Sequence, residues 1–166
     1  MVASTETPNN SNGLLHLQAI GEPRIAIAGT EVAFPTRHAA QALFLLALDE
    51  DGELPVPELG EQLWPDAATS QIPPRFATMV WQLRRGLGEH RDLLERNRRI
   101  IRVDRSQVSV DIVNLRSEAQ QLIAKGAKDD ALAKELKKPI LVTWDDYPWV
   151  QEQQEINGEL AAQLSA

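Results

Sequence analysis

The chain contains no cysteine. Disulfides, thiolate zinc sites, iron–sulfur clusters and a cysteine nucleophile are therefore excluded. Histidine is almost as scarce. His16, His38 and His90 stand far apart, so no histidine-built metal cage is expected. No segment approaches the roughly 18 uninterrupted apolar residues of a membrane span. The first thirteen residues (MVASTETPNNSNG) lack both a basic start and an apolar stretch, which argues against a secretory signal and for a cytoplasmic setting. No Gly-rich phosphate loop, Ser-His-Asp order or metal-ligand spacing occurs. The Asp145-Asp146 pair and the Asp49-Glu50-Asp51 run fit a helix start and a polar turn better than acid–base or calcium chemistry. Neither an enzyme nor a cofactor is expected.

Lysine is missing from the first 124 residues, so the bases there are arginines, and they are unevenly placed. Residues 1–74 hold ten acids and two bases, residues 75–105 nine arginines and four acids, and residues 106–166 ten acids and six bases. The net charge of −7 thus hides a basic centre between two acidic flanks. Such blocks point to partners of different sign on different faces, and overall acidity does not argue against nucleic-acid binding when the bases are clustered. With 166 residues, 43% of them apolar, the chain can form one domain or one domain with a small appendage.

Residues 1–12 are polar and read as a disordered arm. Residues 14–20, 24–28 and 31–34 alternate as three short strands, with a turn at Gly21-Glu22-Pro23 and a hairpin signal at Gly29-Thr30. The period then becomes helical. Ala40, Leu43, Phe44, Ala47 and Leu48 mark a first helix over 37–49, with Thr36 as its N-cap. A second, short helix spans 57–64, a loop runs to Pro74, and a third helix spans 74–87 and ends at Gly88. Residues 93–95 and 100–103 form a hairpin around a basic turn, and residues 109–112 follow as a strand or an extended exit. Helices are then expected over 115–124, 127–136 and 149–164. The fold class is α+β. It is a winged helix-turn-helix over 13–113, with an N-terminal antiparallel sheet and a C-terminal hairpin wing, followed by a small all-α appendage over 114–166.

At about 100° per residue, Phe76, Val80, Leu83 and Leu87 share one side of the third helix. Arg75, Thr78, Trp81, Gln82 and Arg85 share the other. Arginine can fork onto guanine and glutamine onto adenine in the major groove, so this face suits a recognition helix. The same pattern fits a plain amphipathic surface helix. The hairpin favours the first reading: Arg96, Asn97, Arg98, Arg99 and Arg102 concentrate like charge at and beside a turn, where phosphate contact would relieve the repulsion. Double-stranded DNA is therefore the expected partner. The alternative is a protein-interaction adaptor whose arginine face binds an acidic protein without DNA. Trp149, Ile156, Leu160 and Leu164 line one side of the last helix, and so short a module would leave them uncovered. A homodimer or another protein partner through residues 114–166 is therefore expected.

The runs LPVPELGEQLWPD (54–66) and MVWQLRRGLG (79–88), with LQAIGEPRI (17–25), resemble the OmpR/PhoB-type winged helix in its SARP (antibiotic regulatory protein) variant. The runs LRSEAQQL (115–122) and WDDYPWVQEQ (144–153) resemble the start of the bacterial transcriptional activation domain that follows it, stopping after about three helices. Three places depart from the family pattern. Pro73-Pro74 would shorten the entry to the third helix, Trp81 and Gln82 stand where serine and arginine are common, and the wing turn is Arg-Asn-Arg-Arg. The resemblance implies a bacterial, nucleoid-associated transcription regulator that acts as an activator. It further implies that loop 65–73 contacts RNA polymerase and that dimers sit side by side on repeated half-sites.

Overall fold

The computed structural model describes residues 13–166, so the expected disordered arm lies outside the described residues. The fold is α+β, a winged helix with additional helices. Seven strands are β1 (Leu15–Gln18), β2 (Arg24–Ile27), β3 (Thr30–Val32), β4 (Glu53–Pro55), β5 (Leu94–Arg96), β6 (Ile100–Val103) and β7 (Val108–Val110). Six helices are α1 (Arg37–Leu48), α2 (Val56–Leu63), α3 (Ile72–Leu87), α4 (Asp111–Ala124), α5 (Asp130–Leu136) and α6 (Pro148–Leu164). One sheet has the order β3-β2-β1-β7, the other β4-β6-β5. The chain divides into two compact units. The first holds residues 13–16 with Ile25–Ser109, the second Leu17–Arg24 with Val110–Ala166.

In the first unit, α1, α2 and α3 pack pairwise, and their touching faces are apolar. Thr36 caps α1, its hydroxyl accepting the Ala39 N–H at 3.3 Å. The expected face of α3 is buried: Phe76, Val80, Leu83 and Leu87 are each 4% exposed or less, and Met79, not counted in that face, joins them at 1%. The helix begins two residues earlier than expected, at Ile72, behind a 3-10 turn at Thr69–Gln71. Pro73 and Pro74 therefore do not shorten its entry. They occupy the first turn, where a missing N–H costs no intrahelical bond. Gly88 ends the helix at φ 60°, its N–H donating to the Arg84 and Arg85 carbonyls.

Two further corrections concern strands. The β2–β3 turn is Ala28-Gly29 rather than Gly29-Thr30, because Thr30 already pairs with Ile27. Both turn residues have positive φ, 51° and 86°, as the right-handed twist of a two-residue hairpin demands. Strand β4 is too short to show a period, yet it pairs with β6 through Glu53–Arg102, Leu54–Ile101 and Pro55–Ile100. The hairpin β5–β6 is thus two strands of a three-stranded sheet.

In the second unit, Asp111 begins α4, so the extended exit stops at Val110. One oxygen of its carboxylate accepts the N–H groups of Ala19 at 2.8 Å and Ile112 at 2.7 Å, the other that of Ile20 at 3.1 Å. The segment 19–21 also runs beside 139–142. Leu141 N–H donates to Ala19 O at 2.7 Å and Gly21 N–H to Pro139 O at 2.9 Å. Helix α4 closes with Gly126 at φ 72° and a bond from Ala127 N–H to Leu122 O. Helix α5 starts at Asp130, not Ala127, because Asp129 caps it through Leu132 N–H. Ala119, Leu132, Ala133, Leu136, Ala161 and Leu164 form the core of the three helices, with Leu115, Leu122, Ile123 and Leu160 packed against it. Trp144 and Trp149 are both buried, their rings 6.3 Å apart. The expectation that Trp149 and Leu164 are uncovered is corrected: they are 2% and 0% exposed, and only Ile156 of that row is an exposed large apolar side chain. Three helices suffice because α6 packs against both α4 and α5.

Candidate nucleic-acid interface

Helix α3 separates its residues by chemistry. The apolar side anchors it to α1 and α2, so the opposite side is fixed in direction as well as composition. Arg75, Thr78, Trp81 and Arg85 are exposed and Gln82 is half-buried. The arrangement of these five is more committed than their spacing indicates. The Thr78 hydroxyl donates to its own helix at Pro74 O, 3.1 Å away. The Arg85 guanidinium lies 5.2 Å from the ring of Trp81, itself 59% exposed, a cation–π pair on the outer face. Gln82 Oε1 accepts the Thr36 hydroxyl at 2.8 Å, which turns its oxygen toward α1. Arg75 stands at the helix entry, beside a groove.

The wing is held at both ends. The Asn97 side chain also shapes the turn: its Oδ1 accepts the N–H groups of Arg99 at 2.7 Å and Ile100 at 2.9 Å. Its N–H donates to Ile100 O at 3.0 Å, and Val56 N–H donates to Arg99 O at 2.9 Å. This leaves Arg98 and Arg99 exposed at the tip. The other two arginines have internal roles. Arg102 binds Glu95 across the β5–β6 pair, both Nε and NH2 lying 2.7 Å from one carboxylate oxygen. Arg96 lays its guanidinium 4.7 Å from the Phe76 ring, covering a residue that belongs to the buried side of α3. The contact joins the wing to the first half of the helix. The residues that the sequence analysis grouped by type are thus brought together in one unit, but Asn97, Arg102 and the oxygen of Gln82 are occupied in holding it.

Sequence reasoning missed the groove beside α3. Thr36, His38 and Trp64 line it from one side and Pro74, Arg75, Thr78 and Gln82 from the other, with the buried Met79 below. The His38 and Trp64 rings are 5.1 Å apart and tilted by 43°. Burial holds the His38 imidazole below its ordinary pKa, and the neighbouring charges of Arg37 and Arg75 add to the effect. No local signal predicts this meeting, because the three elements that make it are consecutive in sequence but meet only once packed. Among the described residues no group of three or more His, Asp or Glu could hold a metal ion, and no helix is long and apolar enough to cross a membrane.

No protein-family model and no curated protein matches the chain. A likeness exists to a solved structure, Mycobacterium tuberculosis EmbR in complex with a low affinity phosphopeptide. It covers 90% of this chain and 44% of the EmbR chain, at 20% sequence identity and a TM-score of 0.65. The present chain spans less than half the length of that protein, and the likeness is one of fold: the winged helix and the helices after it are similar to part of EmbR.

Proposed function

We propose that the protein is a sequence-specific DNA-binding transcription regulator that lays α3 in the major groove. Arg75, Arg85 and the free donors of Gln82 would meet base edges or phosphates, Trp81 would lie against the groove wall, and Arg98 and Arg99 would grip the adjacent backbone. One observation carries this reading. The exposed cationic side of α3 and the arginine tip of the wing belong to the same unit and are joined by Arg96 over Phe76. A helix with a basic hairpin at its flank matches a duplex, whose phosphates border each groove at a fixed distance. The sequence resemblance to the SARP regulators adds the finer parts of the reading: activation through RNA polymerase at loop 65–73, side-by-side dimers, and the arrangement of residues 13–113 as the DNA-binding domain with 114–166 as an activation-domain-like module.

The exposed Trp81 beside Arg85 favours one other reading, since aromatic and arginine side chains are what protein interfaces use as anchors. On that reading the protein is an adaptor for an acidic partner. Footprinting on genomic fragments, preceded by mobility shift on random duplex at low and moderate salt, separates the two. A regulator binds random duplex at low salt and protects discrete sites; an adaptor shifts no duplex at either salt.

A further inference from the structure

We infer that the groove between the start of α1 and the first half of α3 is a backbone-phosphate subsite, and that His38 is the residue in it that takes up a proton when the phosphate enters. This rests on the DNA-binding reading above and goes beyond it in naming a site and a charge change. The groove opens on the side of α3 that carries Arg75, Thr78 and Gln82, which also form its wall. A duplex seated on those residues must cover it. Its other wall is the His38–Trp64 pair, rings 5.1 Å apart. The subsite therefore offers an imidazole on an aromatic platform, with a guanidinium across from it.

The charges that act on His38 come from two elements: Arg37 on its own helix and Arg75 on α3. The end of α2 contributes Trp64, which is uncharged. Burial and the two guanidiniums all favour the neutral ring in the free protein. A phosphodiester carries one negative charge. Placed between His38 and Arg75, it offsets the cationic field and gives the imidazolium a charge-assisted hydrogen bond. The Trp64 face stabilises the same charged form. The proton comes from solvent, and between the free-state and bound-state pKa values up to one proton is taken up for each phosphate seated. Histidine is suited to this because its charge changes between about pH 5 and 8, where arginine and the phosphodiester do not titrate.

The consequence is pH-linked affinity. Above the bound-state pKa of His38 the ring is neutral in both states and affinity is flat. As pH falls through that value toward the lower free-state value, binding tightens by up to tenfold per pH unit. The test is fluorescence anisotropy with a labelled random 30-base-pair duplex at constant ionic strength, from pH 8.0 to 5.5, using the full chain and His38→Gln. Random duplex is the right probe because a backbone subsite does not depend on sequence. The expected result is tightening of roughly three- to tenfold for the unaltered protein and a much flatter profile for His38→Gln. A histidine Cε1–H NMR titration of the unaltered protein, free and with duplex, provides a reading that no variant can confuse. The His38 midpoint should rise on binding. Equal pH dependence in both proteins, or an unmoved His38 midpoint, overturns the inference while the DNA-binding reading stands. Absence of duplex binding at every pH defeats that reading and this inference with it.

Discussion

The Thr36 hydroxyl donates to Gln82 Oε1 at 2.8 Å while accepting the Ala39 N–H at 3.3 Å. The residue best suited by type to read adenine is therefore also what orients the N-cap of α1. On the proposed function, base contact and helix capping share one side chain, so a substitution at either end should be felt at the other.

The sharing has a measurable signature. Thr36→Ala should cost about 0.5–2 kcal/mol through the lost cap, and Gln82→Ala about 0.5–1.5 kcal/mol through the lost hydrogen bond. The double variant should cost less than the sum, by about 0.5 kcal/mol or more. Urea denaturation of the four proteins measures this. Strict additivity would mean that the two side chains do not interact in solution.

The arginines should divide by environment rather than by position. Arg98→Ala with Arg99→Ala removes two exposed tip charges and should flatten the slope of log K against log salt by up to about 2. Arg102→Ala should change that slope little, because its guanidinium already answers Glu95. Arg75, Arg85, Arg98 and Arg99 alone, with about four phosphates neutralised, set an expected slope near −3.6 for the unaltered protein. A slope near zero would remove DNA from the account.

Gln82→Ala and Arg85→Ala should each weaken a preferred site by about 1–3 kcal/mol and random duplex much less, if they touch bases. Competition titrations with both DNAs decide it. Equal losses on the two would make α3 a backbone clamp and leave sequence reading to the wing.

Leu83 is fully buried at the centre of the apolar side of α3. Leu83→Ala should destabilise the fold by about 2–5 kcal/mol through the cavity it leaves. Ala28 offers the opposite change. It holds φ 51° in the β2–β3 turn, a region that a Cβ disfavours. Ala28→Gly should stabilise the protein by roughly 0.5–1 kcal/mol, since a glycine adopts the left-handed conformation without steric cost. Thermal unfolding monitored by circular dichroism gives both signs in one experiment.

His38 also makes the stability of the free protein depend on pH. Burial holds its folded-state pKa below the ordinary histidine value of about 6.5, so the unfolded chain binds more protons in that range. Stability should be complete above about pH 6.5 and fall as pH drops through that value toward the folded-state pKa. His38→Gln should reduce this dependence in denaturant titrations between pH 7.5 and 5.5. An unchanged dependence would remove His38 as its cause.

Much of this was legible beforehand because the signals were local. The heptad-like spacing of Phe76, Val80, Leu83 and Leu87 settles which side of α3 faces inward, and Gly88 settles where it stops. Thr36 is recognisable as a cap one residue before a helix whose apolar period begins at Ala40. Turn chemistry was legible less well: Ala28 enters a left-handed conformation only because the strands on either side pair there, and nothing in alanine announces it. Strand β4 carries no signal at all, since three residues cannot show a period. It exists because β6 supplies its hydrogen bonds.

By itself the sequence determined the order of the helices and of the wing hairpin, the composition of each face, and the concentration of arginine between residues 75 and 105. These follow from periodicities and caps that act over a few residues. Tertiary structure alone decided which polar groups remain available. Two arginines of the wing are taken up by Glu95 and Phe76, Asn97 closes its own turn, Gln82 turns its oxygen to Thr36, and His38 meets Trp64 and Arg75 across three elements. A side chain's spacing says which way it points from its own backbone. What it meets there depends on partners tens of residues away, and only packing brings those within the few ångströms over which hydrogen bonds and ring contacts act.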